Sequence, residues 1–196
     1  MRKLTLLMII IAFLSGCHAN QQKAIHKLPT DKDIKEIVES IISQDSLLFN
    51  NSNSNNFGLT KLRKLRIIVP EENSHVPPPP PSPEMVYIND LFELTVENKP
   101  IFKKEDYDYL LFQNDSLPEF EFDSNISKKY IIASDKNSFD KALYSFSIPI
   151  FTSDNNFAYV QSSQYYSKQW LGTNYFILKR QNGRWDVLKH EMLFTH

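Results

Sequence analysis

Apolar residues recur along this chain with different periods, and each period predicts a different element. Residues 4–13, LTLLMIIIAF, are apolar apart from Thr5. A helix of that length rises only ~15 Å, half of a ~30 Å hydrocarbon core, which excludes a stable membrane span. Further on, Ile34, Ile37, Val38, Ile41, Ile42 and Leu48 fall at helical spacings and form one stripe of an amphipathic helix. Thr30, with Asp33 three residues later, predicts a capping box at its start, and the early acids suit the helix dipole. The stripe collapses into NNSNSNN, residues 50–56, a polar low-complexity loop.

Beyond that loop the period shortens. LTKLRKLRIIVP ends in β-branched residues before Pro70, which predicts a strand over residues 64–69. Five consecutive prolines at 77–81 favour an extended polyproline rod, read as a stiff surface loop at 71–84 or as a ligand for a proline-binding partner. Residues 85–96, MVYINDLFELTV, read as short strand or turn. KKEDYDYLLFQND predicts a short helix with Tyr107, Leu110 and Leu111 on one side. In PEFEFDS, Phe120 and Phe122 alternate with Glu119, Glu121 and Asp123.

The C-terminal third is the clearest β region. In LYSFSIPIF, Tyr144, Phe146, Ile148 and Ile150 form an apolar face opposite Ser145 and Ser147, and Pro149 marks an edge or bulge. TSDNN is turn chemistry, and FAYVQSSQYY returns as a second strand. The last hairpin turns at Asn182 and Gly183, the favoured type I′ pair. Pairing across it sets Lys179 opposite Asp186, Arg180 opposite Trp185, Leu178 opposite Val187 and Ile177 opposite Leu188. That register predicts an ion pair, a cation–π pair and two apolar pairs.

Composition places these elements in one globular unit. The chain has 196 residues, 41% hydrophobic and 23% charged, enough for a core without staples. A formal net charge of −1 supplies no basic field for nucleic acid. Cys17 is the only cysteine, so internal disulfides are excluded. As a lone thiol it is open to four readings: nucleophile, half of an intermolecular bridge, buried core residue or attachment point.

Its setting decides between them. Arg2 and Lys3 precede the apolar run, and Leu14, Ser15, Gly16 and Cys17 follow it. This LSGC stretch resembles the lipobox of bacterial lipoproteins. The resemblance implies cleavage before Cys17 and acylation of its sulfur, with signal peptide at 1–16, tether at 17–29 and one domain at 30–196. His18 follows in place of an aspartate, which resembles delivery to the outer membrane facing the periplasm.

SFSIPIFTSDNNFAYV, KQWLGT and YFILKRQNGRWDVLKHEML, with YDYLLFQND upstream, resemble the last strands of uncharacterised lipoproteins of Bacteroidota-type bacteria. Many such proteins carry cysteines in the loop before the hairpin, and this chain has none there. The resemblance implies a compartment and a sheet, and no activity.

Candidate chemistry is sparse. HEMLFTH departs from a zinc-protease motif because Phe194 stands where the second histidine belongs. His190 and His196 would lie about 20 Å apart on a strand. Ser138 and Lys141 match a Ser-x-x-Lys pattern that lacks its companion motifs. Glu119, Glu121 and Asp123 share a strand face and read as a solvated edge rather than a glycosidase pair. In KLRKLR, Leu62 and Leu65 interleave the basic residues, as in a half-buried amphipathic segment. Tyr165, Tyr166 and Trp170 form a candidate binding surface at a strand end and in the following loop, or they close one end of the core.

The expectation is an α+β fold: an N-terminal amphipathic helix packed on an antiparallel sheet with a C-terminal meander, compatible with an NTF2-like cone. The expected function is a membrane-anchored, non-catalytic envelope module without a cofactor, partnered by the membrane and by an envelope protein or small ligand. The alternative is an NTF2-like small-molecule-binding or hydrolytic domain. A deep apolar pocket with converging polar side chains favours the second, and a filled core with an exposed aromatic patch around Trp170 favours the first.

Overall fold

The structure, a computed structural model, describes residues 27–44, 56–70, 82–122, 130–133, 143–166 and 169–195. The signal segment, Cys17, Leu48, most of the proline-rich loop, Asp123, Ser138, Lys141 and His196 lie outside the described residues.

The fold is α+β. Helix α1 (Asp31–Gln44) begins with the expected capping box: the Asp33 amide donates to Thr30 Oγ1 at 3.2 Å, and the Thr30 amide donates to Asp33 Oδ2 at 3.1 Å. Its predicted stripe is the buried one: Ile34, Ile37, Val38, Ile41 and Ile42 are at most 5% exposed. Each such aliphatic side chain contributes roughly 1.5–3 kcal/mol on burial.

That stripe packs on one face of a seven-stranded sheet. Its strands are β1 (Asn56–Leu59), β6 (Tyr130–Ala133), β7 (Leu143–Phe146), β8 (Ile150–Phe151), β9 (Phe157–Tyr166), β10 (Gln169–Gln181) and β11 (Arg184–Thr195). They run in the order β11-β10-β9-β7-β1-β6, with β8 also paired to β9. The C-terminal meander is antiparallel as expected, but β1 joins β6 and β7 in parallel. The segment around NFGL therefore adds a mixed edge to the antiparallel sheet.

The hairpin turns with Asn182 at φ 51° and Gly183 at φ 78°, the type I′ geometry. Lys179 faces Asp186, Arg180 faces Trp185 with its guanidinium 5.8 Å from the ring, and Leu178 faces Val187. Two expectations change. A bulge at Leu188, between the Leu178 and Ile177 pairs, sets Ile177 opposite Lys189 and leaves Leu188 38% exposed. The Lys179 ammonium lies 5.8 Å from the Phe157 ring instead of pairing with Asp186. Phe157 stands directly opposite Lys179 on β9, so its ring is a cross-strand partner on the same sheet face.

Because side chains alternate along a strand, the sheet has two unlike faces, and both are covered. One carries Tyr144, Phe146, Ala158, Val160, Phe176, Leu178 and Trp185 towards α1. The other carries Tyr159, Tyr175 and Ile177 towards a second layer. That layer is built from β2 (Arg66–Ile68), parallel to β3 (Met85–Tyr87), and α2 (Ile88–Glu93). A hairpin of β4 (Thr95–Val96) and β5 (Lys99–Pro100) completes it, and helix α3 (Tyr107–Ser116) joins both cores, Leu110 in the second and Tyr109 in the one on the α1 side. This two-sided cover differs from a cone lined by one helix.

Within the second layer the sequence reading changes in detail. The strand expected over 64–69 shortens to β2, and the stretch at 85–96 contains α2. On α3 the buried side is Tyr109, Leu110 and Gln113, whereas Tyr107 is 36% exposed. Gln113 is turned inward because its amide serves Phe151 of β8, donating to the carbonyl at 2.8 Å and accepting the N–H at 2.9 Å. Leu62 and Leu65 are buried as the amphipathic reading requires.

Candidate functional site

Face alternation on β9 places Phe157, Tyr159, Gln161, Ser163 and Tyr165 together beneath the second layer. Between this face and the β3–α2 segment lies a cleft of about 400 Å³, the lower part of the usual range for small-molecule sites. Tyr159 and Tyr175 stack at its floor with centroids 5.7 Å apart and planes at 24°. Val86, Leu94 and Leu193 supply its aliphatic walls, and Asp90 and Glu93 of α2 stand at its rim.

Gln161 closes the inner end and is fully buried. Its side-chain nitrogen donates to the Tyr159 hydroxyl at 2.9 Å, while its Oε1 has no hydrogen-bond partner. An unsatisfied buried acceptor costs about 1–3 kcal/mol, so this oxygen marks where a donor from a bound molecule would be most strongly favoured. Two larger hollows, about 600 and 690 Å³, flank the β4–β5 hairpin. Neither is lined by a buried side-chain atom that lacks a partner among the described residues.

The titrating groups around the cleft are arranged by burial and by one ion pair. Burial raises the Tyr159 hydroxyl far above its ordinary range, so it stays protonated. Burial and the Glu191 carboxylate raise Tyr175, whose hydroxyl donates to Glu191. Lys189 bridges Glu191 at 3.0 Å and sits 5.7 Å from the centre of the Tyr175 ring. Hydrogen bonds to Glu191 and Tyr175 hold Lys189 more firmly protonated, and bonds from Tyr175 and Lys189 lower Glu191. Asp90 moves the other way, raised by burial and by the charge of Glu93.

A polar row runs along the same sheet face beside the cleft. Ser145 pairs with Ser163, and Ser163 with Thr173, across three adjacent strands. Arg63 reaches in from the second layer, donating to Ser145 Oγ at 3.0 Å, to Ser163 Oγ at 2.9 Å and to the Pro83 carbonyl. Burial lowers its pKa. Of the two serines that alternation set opposite the apolar face, Ser145 is therefore buried beneath a guanidinium, and Ser147 is buried accepting the Gln161 N–H.

The candidate aromatic surface divides. Trp170 is a strand residue of β10, paired with Tyr165, and both are half-buried. The Trp170 indole N–H donates to Thr173 Oγ1 at 3.1 Å, which joins it to the polar row. Tyr166 is 48% exposed. The loop expected around Trp170 is a strand because its backbone pairs with the end of β9. Elsewhere Glu119 pairs with Lys61 at 2.6 Å and Glu121 accepts from Thr60 at 2.8 Å, so both are engaged at the surface. His190 stacks on Phe176 at 4.6 Å, and among the described residues no three His, Cys, Asp or Glu converge as a metal site requires.

Sequence reasoning missed Tyr159, Gln161 and Tyr175. The signal was Gln161 and Ser163 inside the long strand FAYVQSSQYY, on the same side as Tyr159. Polar side chains in a strand buried on both faces need a partner or a ligand. Compared with known proteins, the chain matches no protein-family model, no curated protein and no solved structure.

Proposed function

We propose that this chain is a lipid-anchored module of the bacterial cell envelope that holds a small molecule without transforming it. The anchor reading rests on LSGC and the basic and apolar residues before it, and His18 in place of an aspartate supports delivery to the outer membrane, facing the periplasm. The observation that carries the binding reading is the cleft over Tyr159 and Tyr175, ending at the unpartnered Gln161 oxygen. An apolar pocket with a few converging polar groups is the usual form of a small-molecule site.

Binding without turnover fits the lining. The two tyrosines are held protonated, and Lys189 is charged and engaged by Glu191. Trp170, turned towards Thr173, supports a role in closing the sheet end more than one in docking a partner.

Two assays test the two halves. Cys17→Ser is expected to release the protein from membranes and abolish acyl labelling; a variant that stays bound, with no lipid on the native chain, refutes the anchor. For the cleft, full-length protein purified in nonionic detergent carries 3-fluorotyrosine, and its nine tyrosines are assigned in fluorine NMR by Tyr→Phe replacement. A small-molecule extract of the envelope is expected to shift Tyr159 and Tyr175 while leaving Tyr107 and Tyr166 in place. Silence at both cleft tyrosines refutes the binding reading.

A further inference from the structure

The cleft's charge and its unpartnered acceptor together select a class of ligand. Three carboxylates, Asp90, Glu93 and Glu191, stand at or beside it against the single ammonium of Lys189, which Glu191 already engages at 3.0 Å. Asp90 and Glu93 share one short helix without a cation between them among the described ion pairs. Their mutual repulsion is what a positive ligand would relieve.

The field reaches the cleft's inner end. Asp90 acts on the Tyr159 hydroxyl, the group that Gln161 holds at 2.9 Å. Arg63 acts on the same hydroxyl more weakly, and its guanidinium is occupied by Ser145, Ser163 and Pro83. At that point the protein offers an acceptor, Gln161 Oε1, beside the aromatic stack, in which Lys189 already lies over Tyr175. Acceptor oxygen, aromatic faces and excess negative charge all favour a protonated amine. The aliphatic walls favour an apolar body behind it.

We infer that the cleft takes a small amphiphilic organic cation, a primary or secondary ammonium whose N–H donates to Gln161 Oε1 and whose apolar part lies between the tyrosine rings and the β3–α2 wall. The inference rests on the binding reading above and adds the sign of the ligand's charge and the atom that receives its proton donor.

The test uses the same fluorotyrosine-labelled full-length protein and three probes of one shape: 2-phenylethylammonium, 2-phenylethanol and phenylacetate. The ammonium is expected to move Tyr159 and Tyr175 with a Kd about tenfold below that of the alcohol, as a charge-assisted bond of ~1.5 kcal/mol gives, and phenylacetate is expected to bind weakest. The double variant Asp90→Asn with Glu93→Gln should reduce the ammonium's advantage to less than about threefold. Gln161→Leu should weaken ammonium and alcohol together, since both donate to the lost oxygen.

Equal affinity for ammonium and alcohol, or a preference for phenylacetate, overturns the cation assignment and leaves small-molecule binding standing. Silence with all three probes also overturns it. If the envelope extract then leaves both tyrosines silent too, the binding reading falls with it.

Discussion

Gln113→Leu isolates the contribution of one buried amide to the joint between α3 and β8. Gln113 is fully buried, and its side chain bonds both the N–H and the C=O of Phe151 in β8. Leucine has nearly the same volume, so the cavity contribution is small, but two backbone groups inside the core lose their partners. At about 1–3 kcal/mol for each orphaned group, the expected loss is about 4 kcal/mol. In a domain of this size that lowers the Tm by roughly 8–16 °C.

Trp185 reports on the site directly, because its ring meets Phe151 edge-on at 5.7 Å. Urea unfolding of the full-length protein, followed by tryptophan fluorescence, measures the change. Asn114→Ala supplies the comparison: Asn114 accepts the Ile67 N–H at 2.9 Å in a half-buried setting, and its loss should cost about 1 kcal/mol. Equal losses for the two variants would refute the argument, because burial would then not set the cost. So would a loss below about 1 kcal/mol for Gln113→Leu.

Three further outcomes follow from the geometry. Gly183→Ala should cost about 1 kcal/mol in urea midpoint stability, because φ is 78° while the added methyl meets nothing within 4 Å. Asp33 is opposed by burial, but bonds from Thr30 and the charge of Arg180 outweigh it and hold its pKa low. Its contribution is therefore complete above the unfolded pKa of about 4 and is lost as pH falls through the lower folded value. The stability gap between the native chain and Asp33→Asn should be open at neutral pH and closed in strong acid. Asp90 has the opposite sign: raised by burial and Glu93, it makes the folded state bind protons more readily than the unfolded one. Asp90→Asn should stabilise the protein near neutral pH, the gain starting to fall at the raised folded value and gone below the unfolded value of about 4, while cation binding weakens.

The parts of the fold that could be read from the sequence are those set by near neighbours. α1 was legible because its stripe, its cap and its acids agree over a few turns. The hairpin was legible because Asn182 and Gly183 fix the turn and the pairs follow outward, until the bulge at Leu188 slips the register. β1 was hidden because a parallel pair is decided by strands more than seventy residues away. α2 was hidden because six residues of INDLFE carry too little periodicity to outweigh their β-branched and aromatic neighbours.

The buried side of α3 was misread because hydrophobicity passes over a glutamine recruited for its amide. The cleft was illegible for a related reason. Its floor comes from β9 and β10, its rim from α2, and only the folded layers bring them together. The aromatic cluster that drew notice, Tyr165, Tyr166 and Trp170, lies along the same strand face or its end, beyond the polar row from Tyr159.

The contact between α1 and the outer strand has a kinetic consequence. Ser40 and Gln44 donate to the Trp185 carbonyl at 2.7 and 3.3 Å, and the Val187 N–H donates to Gln44 Oε1 at 3.0 Å. These bonds blunt an edge strand that would otherwise pair with another chain, and they join residues 141–145 positions apart. A chain emerging α1 first must hold that helix ready until β11 arrives. During the interval the edge is open, and such long-range closures form slowly. On the anchor proposed above, which would crowd molecules on one membrane surface, the time before closure sets the exposure to strand-to-strand association.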